Sequence, residues 1–203
     1  NIDAIDNLVA EDADNSGCLL TSDVYVNPIT GSDDLNDGLS WDSPFLTINN
    51  AIASVIGTYN EPINIYLADG TYSPSTNGEI FPIVMIDYVN LIGWNRDITI
   101  LDANYLSNVI SIENIVGSLI SNITITNGYA YKGGGIYLSL GDEFGAWGNY
   151  YNTSITLRDI SIIDNIAQYG GGLYLSGKYF GSHNYVDDNI IYENVIISNN
   201  TAY

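Results

Sequence analysis

The stretch Lys132-Gly-Gly-Gly-Ile-Tyr-Leu-Ser139 occurs a second time as Tyr169-Gly-Gly-Gly-Leu-Tyr-Leu-Ser176, 37 positions further along the chain. A short β-branched element precedes each copy, at residues 123–127 and 160–165, and a third such element spans 195–203. A repeat of this length is the signature of a solenoid, in which each unit packs on its neighbours. Because the elements are short and alternate apolar with polar residues, the repeat predicts an all-β solenoid.

The residues within one repeat have separate structural tasks. The glycine triplet permits positive φ angles and close approach to the neighbouring coil. Ile136 and Leu138 alternate with Tyr137, so one face of the strand points inward and the other outward. One asparagine before each triplet position is expected to adopt the left-handed conformation at a corner and to stack in a ladder. These asparagines are Asn127, Asn165 and Asn200.

Composition restricts the partners of this chain. The 203 residues are 46% hydrophobic, which is enough for one sizeable core. There are 4 basic and 24 acidic residues, a net charge of −20, and no basic residue precedes Arg96. Nucleic acid is therefore excluded as a partner, polyanions and anionic membranes are disfavoured, and cations are favoured. No apolar run reaches membrane-spanning length, and the single cysteine excludes a disulfide framework.

Residues 1–23 form an acidic arm that contains a candidate calcium loop. Asp12, Asp14, Ser16 and Asp23 fall at loop positions 1, 3, 5 and 12, with Gly17 at position 6. This spacing places oxygen ligands and a sharp turn where a calcium loop needs them. The loop resembles a dockerin-type loop, although no helical pattern follows it. The alternative is a solvated acidic loop with no metal.

Residues 24–203 are predicted to form one β-helix domain, with an N-terminal cap over about 24–57. The cap comprises a strand, a loop rich in glycine and aspartate, and a helix at about 46–56 that Ser43-Pro44 opens and Gly57 ends. Such a helix would cover the open end of a solenoid. The aspartates of the loop are expected to stabilise turns rather than to bind a cation.

Two insertions, at residues 141–153 and 177–188, occupy the same place in successive repeats. They are therefore expected to project next to each other. Aromatic side chains in loops are suited to contacts with sugars or proteins, and the alternative is that they pack on the flank of the coil. The candidate ligand-binding residues are Phe144, Trp147, Tyr150, Tyr151, Tyr179, Phe180 and Tyr185.

The chain resembles secreted right-handed parallel β-helix proteins of the pectate-lyase-like superfamily. The resemblance rests on Tyr25-Val26, Thr30-Gly-Ser-Asp33, Asn36-Asp-Gly38 and the segment 44–52, followed by Ala68-Asp-Gly-Thr-Tyr72. The repeats over 123–203 are similar to those of polymorphic outer-membrane and autotransporter-passenger β-helices. This resemblance implies a right-handed parallel β-helix in a secreted or cell-surface setting, and it specifies function poorly.

Three functions are open. The first and favoured one is a non-catalytic extracellular β-helix with a structural role, as a filament or a cell-surface adhesin. The second is a carbohydrate-binding protein, and the third is a polysaccharide-degrading one. Whether the chain is an enzyme is left open, but neither a base beside a metal nor a spaced carboxylate pair is evident. The last strand-like element lacks a capping helix, so head-to-tail self-association is also expected.

Overall fold

The structure is a computed structural model that describes residues 19–140, 153–177 and 189–203. These residues form one helix, α1 (Ile48–Ser54), and a series of short strands. The strands are β1 (Val24–Val26), β2 (Ile63–Leu67), β3 (Gly70–Tyr72), β4 (Ile83–Val84), β5 (Val89–Gly93), β6 (Thr99–Asp102), β7 (Ile110–Glu113), β8 (Ser118–Ser121), β9 (Thr124–Thr126), β10 (Tyr129–Lys132), β11 (Ile136–Ser139), β12 (Ser154–Arg158), β13 (Ser161–Ile163), β14 (Ile166–Tyr169), β15 (Leu173–Ser176), β16 (Asn189–Glu193), β17 (Ile196–Ser198) and β18 (Thr201–Ala202).

The described strands stack in four sheets. The first has the order β1-β2-β5-β8-β12-β16, the second β3-β6-β9-β13-β17, the third β10-β14-β18 and the fourth β4-β7-β11-β15. The pairings are parallel, and the chain visits the sheets in the same sequence on each passage before it returns to the first sheet one strand further on. We call each passage a coil. This arrangement is consistent with a parallel β-helix, and the predicted nearly all-β architecture is confirmed.

The register between the coil of β8 to β11 and the coil of β12 to β15 follows the sequence repeat. Leu119 pairs with Thr156, Ile125 with Ile162, and Ile136 with Leu173, so the offset is 37 residues in each of these sheets. Earlier coils differ in length, since Ile65 pairs with Leu91 after 26 residues and Leu91 pairs with Ile120 after 29. The repeat spacing is therefore confirmed where the sequence shows it.

Apolar side chains from successive coils form columns inside the stack. Ile65, Leu91, Ile120 and Leu157 occupy one column, and each is fully buried. A column is buried only where a further coil covers it. Ile197 lies in the last described coil, and it is 51% exposed although its partner Ile162 is fully buried.

The glycine triplets adopt positive φ and approach the neighbouring coil closely, as the sequence predicts. Gly133 and Gly170 have φ angles of 63° and 62°, in the left-handed region that favours glycine. The third glycine is required for a different reason, since a Cβ atom on Gly135 would lie 2.5 Å from the carbonyl oxygen of Gly172. The triplet therefore combines a turn with close contact between coils.

The asparagine prediction is wrong in its register. The left-handed corner residues are Asn127, Asp164 and Asn199, with φ angles of 53°, 56° and 56°, so Asn165 and Asn200 lie one position beyond the corner. The reason is that Ile125 aligns with Ile162, which places Asn127 opposite Asp164.

The ladder is consequently shorter than predicted. Buried Asn165 donates from Nδ2 to Asn200 Oδ1 at 3.0 Å and to the carbonyl oxygen of Ile125 at 3.1 Å. Its Oδ1 accepts from the backbone nitrogen of Gly128 at 2.8 Å. Gly128 thus takes the place that was predicted for Asn127, and Asn127 donates to Asp102 instead.

Helix α1 begins later than the sequence predicts. Phe45 is extended and donates from its backbone nitrogen to the carbonyl oxygen of Tyr25, so it covers the edge of β1 and cannot start a helix. Thr47 is the N-cap residue, and its Oγ1 accepts from the nitrogen of Asn50. Ile48 and Ala51 are buried. Within the described ranges, no helix is long and apolar enough to cross a membrane.

The loop before α1 uses its acidic side chains for backbone hydrogen bonds. The Asp33 carboxylate accepts from the nitrogen atoms of Leu46 and Thr47, and from the Thr47 hydroxyl at 2.7 Å. Asp37 accepts from the nitrogen of Leu39. These contacts agree with the expectation that these aspartates stabilise turns.

Candidate functional site

An aromatic row lies on the outward face of the first sheet. Tyr25 and Tyr66 are paired neighbours on β1 and β2, and Ile92 follows them on β5. Each alternates with buried residues of its own strand, so its side chain points away from the core. The two tyrosine rings stack with centroids 5.5 Å apart and planes inclined by 25°.

Two tryptophans extend this row into a groove. Trp41 belongs to the loop that covers β1, and its ring centroid lies 4.8 Å from that of Tyr25. Trp94 directly follows β5, and 69% of it is exposed. The open space between these side chains has a volume of about 320 Å³. We call this space the aromatic groove, and its lining residues are Asp23, Tyr25, Trp41, Tyr66, Leu67, Ile92, Gly93 and Trp94.

A polar row lies beside the aromatic one on the same three strands. Asn64 donates to the Asp23 carboxylate from its backbone nitrogen at 2.8 Å and from Nδ2 at 3.1 Å. Asn90 donates from Nδ2 to Asn64 Oδ1 at 2.9 Å. The stacking of parallel strands in register therefore builds a row of one carboxylate and two amides beside the aromatic row, and Asp23 is the member that lines the groove.

The charge of the groove is negative. Asp23 is the one charged residue among the lining residues, which include no lysine or arginine. Burial raises the pKa of the Tyr66 phenol, and the neighbouring Asp23 carboxylate raises this pKa further. The Tyr66 hydroxyl is therefore a hydrogen-bond donor near neutral pH. The arrangement offers flat apolar surfaces next to acceptors and donors, which suits ligands that carry both apolar faces and polar groups.

The outward face of the first sheet continues past the aromatic groove. A second cleft of about 280 Å³ adjoins Asn90 and reaches the last coils. Hydroxyl groups are abundant there, and the Ser154 hydroxyl accepts from the backbone nitrogen of Gly117 at 2.7 Å. The face can therefore accommodate an extended ligand along the stack of strands.

The calcium loop is only partly within the described part of the chain. Asp12, Asp14 and Ser16 lie outside it, and Asp23 lies in the aromatic groove with its carboxylate bonded to Asn64. The described residues contain no group of three or more His, Cys, Asp or Glu side chains that could hold a metal ion. Calcium binding stays a prediction, and calorimetry on an Asp12→Ala/Asp14→Ala variant tests it. Unchanged calcium heat in that variant would dispose of the site.

The aromatic residues predicted for ligand binding lie outside the described residues. They are Phe144, Trp147, Tyr150, Tyr151, Tyr179, Phe180 and Tyr185. The strands that flank the two insertions are described, and Ser139 pairs with Ser176 while Ser154 pairs with Asn189. The two insertions therefore start and end at neighbouring positions, whereas the role of their aromatic side chains stays a prediction.

The aromatic groove was not predicted from the sequence, although part of its signal is visible there. Tyr25 and Tyr66 are both the outward residue between two buried positions of a strand. Their alignment depends on the pairing of β1 with β2 across 41 residues, which no repeat in the sequence predicts. Trp41 and Trp94 belong to connecting segments, whose positions only the structure provides.

Comparison with known proteins identifies one similarity. Residues 29–98 match the family described as "Protein of unknown function (DUF1565)", a family of parallel β-helix-like proteins. The match spans less than half of the chain and includes Trp41, Tyr66 and Trp94 of the aromatic groove. No curated protein matches the chain. No solved structure matches it either.

Proposed function

We propose that this chain is a non-catalytic, extracellular β-helix protein that binds glycan chains in the aromatic groove. The observation that carries the proposal is the convergence of four aromatic side chains with a carboxylate and two amides on one open sheet face. The aromatic members are Tyr25, Trp41, Tyr66 and Trp94.

The chemistry of the groove matches the chemistry of a sugar ring. A pyranose presents apolar C–H faces, which pack on tyrosine and tryptophan rings, and equatorial hydroxyl groups, which bond to carboxylate and amide groups. Tyrosine and tryptophan also lose little conformational entropy on binding, because each has only two side-chain torsions. An open groove of this kind admits a polymer, which a closed cavity would exclude.

The net charge of −20 narrows the class of glycan. A polyanionic polysaccharide would be repelled by the protein as a whole and would meet no cation in the groove lining. Neutral and cationic glycans carry no such penalty. The proposal therefore concerns these two classes.

The proposal includes finer features of the fold. We infer that the stacked sheets close into a right-handed β-helix, because parallel strands joined within one sheet are connected right-handedly almost without exception. We also infer that α1 covers the N-terminal end of the stack. The burial of Ile48 and Ala51, and the contacts of α1 with β1, β2 and β4, support this role.

Tryptophan substitutions test the site. Trp94→Ala is expected to weaken glycan binding at least tenfold, because a central aromatic anchor contributes about 2 kcal/mol or more to binding. Trp41→Ala is expected to weaken it less, since 42% of Trp41 is exposed and it already packs on Tyr25. Calorimetry against a panel of soluble neutral oligosaccharides and amino-sugar oligosaccharides measures both.

Trp147→Ala is the matched control, since Trp147 is the remaining tryptophan of the chain and lies in the first insertion. It is expected to leave the affinity unchanged if the groove alone binds the glycan, and to lower the affinity if the insertions bind as the sequence predicts. If Trp147→Ala abolishes binding while Trp94→Ala does not, the insertions are the binding site and the groove is not. If the wild type binds no member of the panel, the glycan proposal fails.

We propose head-to-tail self-association as a second candidate function, with a second copy of the chain as the partner. The observation that favours it is the apolar surface of the last described coils. Leu175 is 47% exposed although its partner Leu138 is fully buried, and Ile197 shows the same contrast with Ile162. Exposed apolar columns of this kind are suited to continuation by another coil.

Light scattering tests this candidate. The wild type is expected to grow from monomers into larger particles as its concentration rises, and Ile197→Asp is expected to stay monomeric because it places a charge in the contact. Removal of residues 1–18, the part of the acidic arm outside the described residues, is expected to weaken assembly if that arm contacts the neighbouring copy. Monodisperse monomers of the wild type at high concentration would eliminate the filament hypothesis.

A further inference from the structure

We propose that the aromatic groove selects glycans that carry a free amino group, with Asp23 as the residue that determines this specificity. The inference rests on the proposed function, because it names the ligand class of the same groove. It concerns a protonated amino sugar, whose ammonium group would lie between the Asp23 carboxylate and the aromatic rings.

The Asp23 carboxylate has no cationic partner in the described part of the chain. Within those ranges the one ion pair joins Arg158 to Glu193, on later strands of the same sheet. Arg96 is the basic residue nearest to the groove in the sequence, and it donates to the carbonyl oxygen of Asn194. Asp23 therefore brings an uncompensated negative charge to the groove.

The hydrogen bonds of Asp23 position this charge without neutralising it. Three contacts from Asn64 reach the carboxylate, two of them at Oδ1 and one at Oδ2. The Tyr66 phenol is a further hydrogen-bonding neighbour of the carboxylate. All of these donors are neutral, so a cation is the partner that the carboxylate lacks. The amide donors hold the carboxylate in place at the edge of the aromatic row. The ligand's ammonium group would supply the missing counter-charge.

The aromatic rings add a second interaction that is specific for cations. Tyrosine and tryptophan faces attract ammonium groups through the negative potential of the ring, and several rings around one carboxylate make a cation-binding site. The Tyr25 ring is inclined by 59° to Trp41 and by 25° to Tyr66, so the three rings form a curved surface rather than a flat one. The chain already contains one such contact elsewhere, where Lys132 Nζ lies 4.9 Å from the centroid of the Tyr174 ring.

A polymer is a better fit than a small ammonium compound. The hydroxyl-rich cleft that adjoins Asn90 lies on the same outward sheet face as the aromatic groove. Successive strands are about 4.8 Å apart, so a chain lying across β1, β2 and β5 meets Tyr25, Tyr66 and Ile92 in turn. The negative charge of the whole protein would also accelerate the approach of a polycation.

The experiment compares two probes that differ at the 2-amino group, which is a free ammonium in one and a neutral acetamide in the other. Oligomers of β-1,4-linked glucosamine are compared with their fully N-acetylated counterparts of equal length, at about pH 5, where the sugar amines are protonated. Calorimetry in low salt with EDTA present is expected to show about tenfold tighter binding of the amine form by the wild type. Added salt is expected to reduce this preference, because ionic screening weakens exposed charge pairs.

Two variants assign the preference to one carboxylate. Asp23→Asn is expected to bring the two affinities to within about twofold, and an unchanged urea unfolding midpoint would report that the groove is folded. Asp42→Asn removes one charge beside Trp41, at an exposed residue outside the groove lining, and is expected to keep the preference.

Each other result overturns a distinct claim. Equal affinities of the wild type for the two probes would overturn the selectivity for amino sugars and leave glycan binding intact. Equal effects of Asp23→Asn and Asp42→Asn would show that overall charge, rather than the groove, attracts the amine. The proposed function itself would be overturned if the wild type bound neither probe nor any other glycan.

Discussion

Replacing Gly135 by alanine is expected to destabilise the protein by about 3 kcal/mol, the upper end of what overpacking a tight core costs. Gly135 does not need positive φ, so the effect is steric. A Cβ atom there would lie 2.5 Å from the Gly172 carbonyl oxygen, 2.6 Å from Cγ2 of Ile162 and 3.0 Å from Nδ2 of Asn165. Two of these atoms belong to hydrogen-bonded groups that join coils, so they cannot move without losing a bond.

Urea denaturation, followed by circular dichroism, measures the change through the shift in midpoint. Gly177→Ala is the matched control, because no atom of the described residues lies within 4 Å of a Cβ at this position. It is expected to change the stability by no more than about 0.5 kcal/mol. If Gly135→Ala is as stable as Gly177→Ala, the coils are not in the close contact that the structure shows.

The same triplet explains how much of the fold was predictable from the sequence. A repeat of strands and glycines fixes the register of two coils, because a shift of one residue would turn every apolar side chain to the other face. The pairing of Ile125 with Ile162 confirms the register that the repeat predicts. The prediction of the asparagine ladder was wrong because Asn127 and Asn165 both end a short β-branched element. Asn127 lies two residues after Ile125, whereas Asn165 lies three residues after the paired Ile162. Of the two, only Asn165 therefore turns inward.

The aromatic groove was less predictable for a physical reason. Its residues come from coils of unequal length and from connections without secondary structure, so no period relates Trp41 to Trp94. The sequence instead directed attention to aromatic residues in the insertions, where many lie close together. A groove assembled from distant segments requires knowledge of the strand pairing, and only Tyr25 and Tyr66 are aligned by it directly.

The second large effect is expected at Glu79, a carboxylate that is 1% exposed at the start of α1. Glu79 Oε2 accepts from the backbone nitrogen of Ile48 at 2.7 Å, and Oε1 accepts from the backbone nitrogen and the Nδ2 of Asn49 at 3.1 Å and 2.7 Å. The first turn of a helix has backbone donors without partners inside the helix. Glu79 supplies acceptors to two of these donors from a residue 31 positions away.

Glu79→Ala is expected to destabilise the protein by about 3 kcal/mol, since it leaves these buried donors without acceptors and removes a charge-assisted cap. The expected consequence is loss of the contact between α1 and the coil that carries Glu79. Glu61→Ala, at an exposed residue, is the control of equal chemistry and is expected to change the stability by no more than about 0.5 kcal/mol. Similar urea midpoints for the two variants would show that Glu79 does not hold the helix.

The contribution of the Glu79 carboxyl to the free energy of unfolding decreases as the pH rises. Burial raises the pKa of the Glu79 carboxyl above its ordinary value of 4.5, against the opposing effect of the hydrogen bonds from Ile48 and Asn49. A carboxyl whose pKa is raised by folding favours the folded state most when it is protonated. Its contribution is therefore complete below the ordinary value and is lost as the pH rises through the raised one.

Comparison with Glu79→Gln isolates this contribution, because the two proteins differ in this one titratable group. The stability of the wild type relative to Glu79→Gln is expected to fall as the pH rises above 4.5 and through the raised pKa, as Glu79 ionises in a buried site. Urea midpoints of the two proteins across this range measure it. A difference that instead grows in favour of the wild type would mean that the three donors outweigh burial, and that the carboxylate is charged throughout the range.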